Sequence, residues 1–440
     1  MFPIRIIGAG LAGSEAAWQC ARRGLKVELC EMRPVKTTPA HQTASFAELV
    51  CSNSLKSDSE NTAPWLLKEE IRRAGSLLLQ SARECAVPAG HALAVDRAAF
   101  AARVTESISR ELLITVLRQE VTQIREDQIT IVATGPLTSD ALSGEIGRLS
   151  GDSHLYFYDS ISPIVESDSI DMEKVYMAAR YDKGTADYIN CPMSKEEYDR
   201  FYDALVAAQP VEEKEWEMLN YFESCLPIEE IARRGRDTLR FGPMKPVGLR
   251  NPRTGQQPYA VVQLRQENLR ADSYNLVGFQ NHLRFDAQAR VLRLIPGLEN
   301  GRFLRFGQIH RNTYINSPTL LSDTLQMKEH SRVLFAGQIC GVEGYVESIA
   351  TGLIAGLSAV ALATGTSWLA PPRASAFGSL VNYVTQANPK NFQPANITFD
   401  LLPPLDRKVR DRKERHRLQC ELALREFDNW WAGAHLAVTK

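Results

Sequence analysis

Cys225 lies in NYFESCLPIEEIARRGRDTLRFGPMKPVGL, where Arg233, Arg234, Arg236, Arg240 and Lys245 follow it. Cationic neighbours favour a thiolate and draw a cysteine pKa from about 8.5 toward physiological pH. The same cations suit phosphate groups; the plainer alternative is a solvated charged face beside a structural cysteine. Cys51, in AELVCSNSLKSD, is a second candidate thiol. The next cysteine is Cys85, so Cys51 lacks the close partner that dithiol chemistry needs, and disulfide reduction does not fit. A lone cysteine also serves as a small buried hydrophobe. A third feature is RKVRDRKERHR, Arg407 to Arg417, with seven Arg or Lys against two acids. Leu418, Leu422, Phe427, Trp430 and Trp431 follow at roughly helical spacing, which predicts a basic helix docked by its apolar face. Arg407 and Arg410, with Arg233, Arg234 and Arg236, are therefore candidate contacts to a phosphate backbone. A merely solvated face is the alternative.

Such side chains need a scaffold, and the chain opens with one. Ile4 to Pro34 reads IRIIGAGLAGSEAAWQCARRGLKVELCEMRP: an apolar strand, a glycine turn, a helix and a second strand over Lys26 to Leu29 that ends in Glu31. In Gly8-Ala9-Gly10-Leu11-Ala12-Gly13, Gly8 permits the tight turn and Gly10 lets the backbone approach a pyrophosphate. Gly13 lets the helix pack on its strand. The helix N-terminus offers free N–H groups to phosphates. Glu31 lies 18 residues after Gly13 (31 − 13), about where an acid bonds the adenosine ribose.

Farther along, a polar loop (Thr37 to Ser59) leads to a helical stretch near Trp65 to Ala82. Gly90 to Ile108 reads as a strand entering a helix near Arg97. Short strands follow around Ile114 to Leu117 and Gln128 to Ala133, closing on Thr134-Gly135-Pro136, the usual exit of a flavoprotein's first domain. From His154 to Ser322 aromatics increase, with a charged helical stretch (Lys195 to Glu223) and a Gly/Pro/Arg-rich segment (Arg233 to Gly255). Ser331 to Ala363 then returns to strand, glycine turn and small-residue helix, placing Gly337, Gln338 and Tyr345 beside the cofactor. Gly352 and Gly356 let that helix approach backbone closely. The expected fold is α/β, a Rossmann-type FAD-binding domain similar to those of glutathione-reductase-like flavoproteins. It is discontinuous (1–153 and 323–440), with an inserted α/β domain for substrate or RNA (154–322). Only one GxGxxG occurs, so a pyridine nucleotide would lack a Rossmann site of its own.

Composition narrows the classes. At 440 residues and 44% hydrophobic the chain can bury two cores, and its net charge of −1 leaves only local patches to attract nucleic acid. Eight widely spaced cysteines show no CxxC pair and no metal pattern; they fit free thiols in a reducing compartment. The chain enters a strand at once, and its most apolar run, Ile349 to Ala363, is short for a membrane span. The expectation is a soluble cytoplasmic protein without a membrane partner.

The motifs IIGAGLAGSEAAW, FAELVCSNSLKSDS, VPAGHALAVDR, ATGPLTSDAL, YFESCLPIEE, FGPMKPVGL, GQICGVEGYVESIATGL and NFQPANITFDLLPPL run from the first strand to about Leu405. Together they closely resemble the folate- and FAD-dependent tRNA (uracil-5-)-methyltransferases, a bacterial flavoprotein family. His91 stands where that family usually has glycine, and Cys340 where it has threonine. The resemblance implies methylation of uracil C5 in the tRNA T-loop. The carbon would come from 5,10-methylenetetrahydrofolate, and the two electrons from reduced FAD, regenerated by NAD(P)H. By the same resemblance Cys225 matches the nucleophile that adds to C6, Cys51 the base at C5, and Cys191 a structural cysteine. Alternatives are the same chemistry on ribosomal RNA, a GidA-like FAD-dependent protein modifying wobble uridine, and a non-catalytic RNA-binding flavoprotein.

Overall fold

The structure is a computed structural model describing residues 2–151, 155–182, 185–211 and 226–438. It opens with β1 (Ile4–Ile7), α1 (Leu11–Ala21) and β2 (Val27–Glu31). After a loop come β3 (Ser54–Ser57), α2 (Ala63–Arg73), α3 (Leu77–Glu84), β4 (Ala86–Val87) and β5 (Ala92–Val95). Next are α4 (Arg97–Arg110), β6 (Ile114–Arg118), β7 (Thr130–Val132) and α5 (Asp140–Ser150). The helix expected over Trp65 to Ala82 is thus two. Gly75 adopts a φ of +73° after α2, and Ser76 starts α3 by accepting the Leu79 N–H at 3.1 Å.

The middle of the chain supplies β8 (Leu155–Ser160), β9 (Ile164–Glu166), β10 (Tyr176–Ala178), β11 (Tyr188–Met193) and α6 (Lys195–Ala207). It continues through α7 (Ile228–Arg233), α8 (Thr238–Phe241), β12 (Ala260–Gln266), β13 (Ser273–Leu276), α9 (Phe285–Leu292), β14 (Phe303–Arg305) and β15 (Ile309–Tyr314). The helix expected from Lys195 stops at Ala207, where Ala208 is extended and Pro210 follows closely, and the part of that stretch over 212–223 lies outside the described residues. Then come α10 (Ser317–Leu320), β16 (Val333–Phe335), α11 (Tyr345–Thr364), α12 (Ala376–Gln386) and α13 (Arg412–Val438).

Five parallel strands in the order β16-β7-β1-β2-β6 form one sheet. Being covered by α1, α11 and their neighbours, these strands are apolar in runs rather than alternating, as Ile4, Ile6 and Ile7 show. An antiparallel sheet, β10-β11-β12-β13-β9-β14, organises a second hydrophobic core around Val262, Leu264 and Phe201. Helix α11 is long and apolar enough to cross a membrane, yet 94% of that window is buried inside the protein. It lies against α1: a Cβ at Gly352 would meet the Ala12 carbonyl oxygen at 2.3 Å, and one at Gly356 the Ala16 oxygen at 3.0 Å.

The C-terminal basic stretch divides. Its helix begins at Arg412, so Arg407 and Arg410 lie in the irregular segment before it. Asp411 sets that start by accepting the Glu414 N–H at 2.8 Å. The apolar face docks as expected, with Phe427 fully buried and its ring 5.4 Å from that of Phe377.

Candidate active site

The C-terminal ends of β1, β7 and β16 and the N-terminus of α11 surround a cleft, the place where open parallel sheets bind ligands. Gly8, Gly10, Leu11, Ala12, Glu31, Thr134, Gly135, Gly337, Gln338 and Tyr345 all line it. Ala9 and Gly13 are buried and do not line it.

 

Ala9 donates its N–H to Glu31 Oε2 at 3.0 Å, which ties the glycine turn to the end of β2. A Cβ at Gly13 would stand 1.7 Å from the Gly8 carbonyl oxygen, whereas one at Gly10 would meet nothing within 4 Å. Gly13 therefore serves the contact between helix and turn, and Gly10 leaves open room at the start of α1. No side chain caps that helix, so its first N–H groups face the cleft as an anion site. These features fit the pyrophosphate of a dinucleotide such as FAD.

The wall beside Glu31 contains groups that motif spacing does not reveal. Arg33 donates its N–H (3.0 Å) and its Nε–H (2.9 Å) to Glu31 Oε1, and its Nη1 pairs with Glu48 at 3.0 Å. Burial raises the Glu31 pKa, but the Arg33 hydrogen bond and charge and the Ala9 N–H outweigh it, leaving the carboxyl below its ordinary value. His41 lines the same wall. Burial, then the charge of Arg33, pushes it down to about 4, so it is neutral at physiological pH. Arg33, His41 and Glu48 all come from the loop after β2, whose sequence has no periodicity to mark them.

Cys51 sits at the edge of this cleft, half-buried, next to the lining residue Val50. The Tyr345 hydroxyl accepts the N–H groups of Cys51 (2.8 Å) and Ser52 (3.1 Å). Arg97 Nη1 donates to the carbonyls of Leu49 (3.0 Å) and Val50 (3.3 Å), and Arg305 Nη1 to that of Val50 at 3.2 Å. Three distant segments thus fix the backbone that carries the thiol. Arg305 is also near enough to couple electrostatically with Cys51; burial nevertheless holds its pKa below the usual guanidinium value.

Cys225 lies outside the described residues. The chain resumes at Leu226, ahead of α7, where the Ile228 N–H donates to the Gln280 carbonyl at 2.7 Å. Arg233 ends α7 and pairs with Glu230. Arg236 pairs with Asp199 at 2.8 Å and with Asp203, and lies over the Tyr202 ring. Arg234 is exposed, as are Arg407 and Arg410 in their separate segment. Cys191 is fully buried in β11, and burial raises its thiol pKa, as suits a packing role.

The family model described as Glucose inhibited division protein A matches residues 3–367. A Koribacter versatilis protein, methylenetetrahydrofolate--tRNA-(uracil-5-)-methyltransferase TrmFO, is 75% identical over 438 residues, covering 98% of this chain and 99% of its own. A Solibacter usitatus protein of the same name is 62% identical over 437 residues, covering 97% and 98%. Among solved structures, Aquifex aeolicus GidA in its form II crystal superposes with a TM-score of 0.73 at 15% identity. That match covers 100% of this chain and 74% of the other, and is a likeness of fold. The fold is accordingly the FAD-binding Rossmann-type α/β fold. Full-length identity of this order, together with the matched family model, places the chain in the methylenetetrahydrofolate--tRNA-(uracil-5-)-methyltransferase TrmFO family, within the wider Glucose inhibited division protein A group.

Proposed function

We propose that this chain methylates C5 of a T-loop uridine in tRNA, taking the carbon from 5,10-methylenetetrahydrofolate. The observation that carries the reading is the Tyr345 hydroxyl, which joins the wall of the dinucleotide cleft to the backbone of Cys51 and Ser52. A thiol held there serves chemistry at the cofactor's edge rather than core packing.

Uracil C5 is a poor nucleophile until a thiolate adds to C6 and creates an enolate. Cys225 is the proposed source of that thiolate, and C5 then bonds the folate-borne methylene. Cys51 removes the C5 proton. Loss of that proton expels tetrahydrofolate from the methylene carbon and leaves an exocyclic methylene on C5, with the Cys225 sulfur still bonded to C6. Reduced FAD, regenerated by NAD(P)H, would supply the hydride that turns this methylene into methyl, after which the Cys225 sulfur leaves C6 and the C5–C6 double bond is restored. Gly8 through Gly13 and Glu31 hold the dinucleotide, with Thr134, Gly135, Gly337, Gln338 and Tyr345 on the facing walls. The unit over 154–322 is the proposed RNA-facing insertion in a discontinuous FAD domain, and Arg233, Arg234, Arg236, Arg407 and Arg410 are proposed phosphate contacts. A loop uridine is the cheaper target because its base leaves the stack more easily than a paired one. Such an enzyme works in the cytoplasm.

The test is to incubate the purified yellow protein with methylenetetrahydrofolate, NADH and unmodified tRNA or ribosomal RNA transcripts, then analyse nucleosides. 5-Methyluridine in tRNA alone is the expected result. Methylation confined to ribosomal RNA would move the target, and NADH oxidation without methylation would overturn the reading.

A further inference from the structure

At the end of α1 remote from the glycine turn, about 16 Å away at 1.5 Å per residue, lies a second cleft with about 1580 Å³ of open space. Five arginines line it, Arg22, Arg23, Arg72, Arg73 and Arg83, between the indoles of Trp18 and Trp431. Its lining acid, Glu84, pairs with Arg103 at 3.0 Å. Arg72 and Arg73 share Glu69, and Arg73 also pairs with Asp428. Arg22, Arg23 and Arg83 form no ion pair with any described residue. Arg22 lies 5.6 Å from the centre of the Trp18 ring, and Arg23 lies 6.0 Å from that of Trp431. Arg23 Nη1 donates to the Gln19 carbonyl (3.1 Å) and side chain (2.6 Å), but its Nε is buried with no hydrogen-bond partner. Three guanidinium groups without an acidic partner at one cleft match acceptors from outside the protein in charge.

We propose that this cleft binds the sugar–phosphate backbone of the RNA substrate away from the target base. Guanidinium forks match phosphate oxygens in charge and geometry. The distance from the dinucleotide cleft suits a folded RNA that presents one base to the cofactor and keeps the rest of its body on the protein. The identity of the occupant rests on the methyltransferase reading.

The test compares Arg22→Ala/Arg83→Ala with Arg22→Lys/Arg83→Lys in the full-length flavoprotein, measuring affinity for an unmodified tRNA transcript across a salt series. The alanine pair should weaken binding by roughly tenfold and flatten the log–log salt dependence by about 1.5, two phosphate contacts at about 0.7 to 0.9 each. The lysine pair should recover most of the slope. NADH-driven bleaching of the flavin, which needs no RNA, should be unchanged in both and so reports intact folding. Equal affinity and equal slope in the alanine pair would overturn the cleft assignment even if the wild type makes 5-methyluridine. Failure of the methyltransferase reading shows differently, as a wild type that makes no 5-methyluridine on any transcript.

Discussion

Individual side chains at the cleft divide into those that act and those that hold. Cys225→Ala should abolish the covalent adduct with RNA containing 5-fluorouridine, while Cys51→Ala should stop turnover and keep the adduct. Denaturing gels resolve the two outcomes, and an intact adduct in the Cys225 variant removes its assignment. His41 predicts a pH effect with a definite sign. Its folded pKa of about 4 lies below the ordinary 6.5, so the unfolded chain binds the proton more readily. The stability it permits is present above pH 6.5 and is lost as pH falls toward about 4. Urea unfolding of His41→Gln should therefore show a shallower acid limb than the wild type between those values. Unchanged limbs would mean that the ring is solvated. Neither His41 nor Arg33 was legible beforehand. Their roles depend on where a loop without periodicity folds back, whereas Glu31 was legible because strand length fixes its place.

At the level of elements, the second and third glycines of the motif, Gly10 and Gly13, separate binding from folding. Gly10→Ala should leave the apoprotein's stability within about 0.5 kcal/mol, since its Cβ has open space, yet the protein should purify pale. Gly13→Ala places a Cβ against the Gly8 carbonyl and should cost at least about 2 kcal/mol in denaturant melts. Equal stability losses in the two would contradict this division. The β1–α1–β2 unit was readable because turn chemistry and apolar runs are local signals. The small residues of α11 were readable as a close approach, but its partner, the backbone of Ala12 and Ala16, is over 300 residues away in sequence. The start of α13 was misplaced because charge run was read ahead of capping; Asp411 followed by Glu414 three residues later was the better sign.

Across the whole molecule, the two cores meet around Asn53. Its Nδ2 donates to the Val95 carbonyl at 3.1 Å and the Gln266 carbonyl at 2.9 Å, and its Oδ1 accepts from Arg265 Nε at 2.8 Å. Asn53→Leu would strand several buried polar groups, at about 1–3 kcal/mol each. Its expected signature is a lower Tm with methylation lost out of proportion to flavin content. Retained Tm and activity would show that the two cores do not depend on this junction. Compositional and motif shifts in the sequence suggest a change of character near His154, but they carry no sign of this junction, because its parts come from β12 and from a loop 200 residues earlier.

The parallel sheet is completed by β16, and α1 is covered by α11, both from the last third of the chain. During synthesis the glycine turn leaves the ribosome early, with its sheet lacking an edge and its helix lacking a lid of small residues. Coenzyme loading must therefore wait until some 360 residues have been translated, and until then the nascent N-terminal segment presents uncovered apolar surface for chaperones to guard.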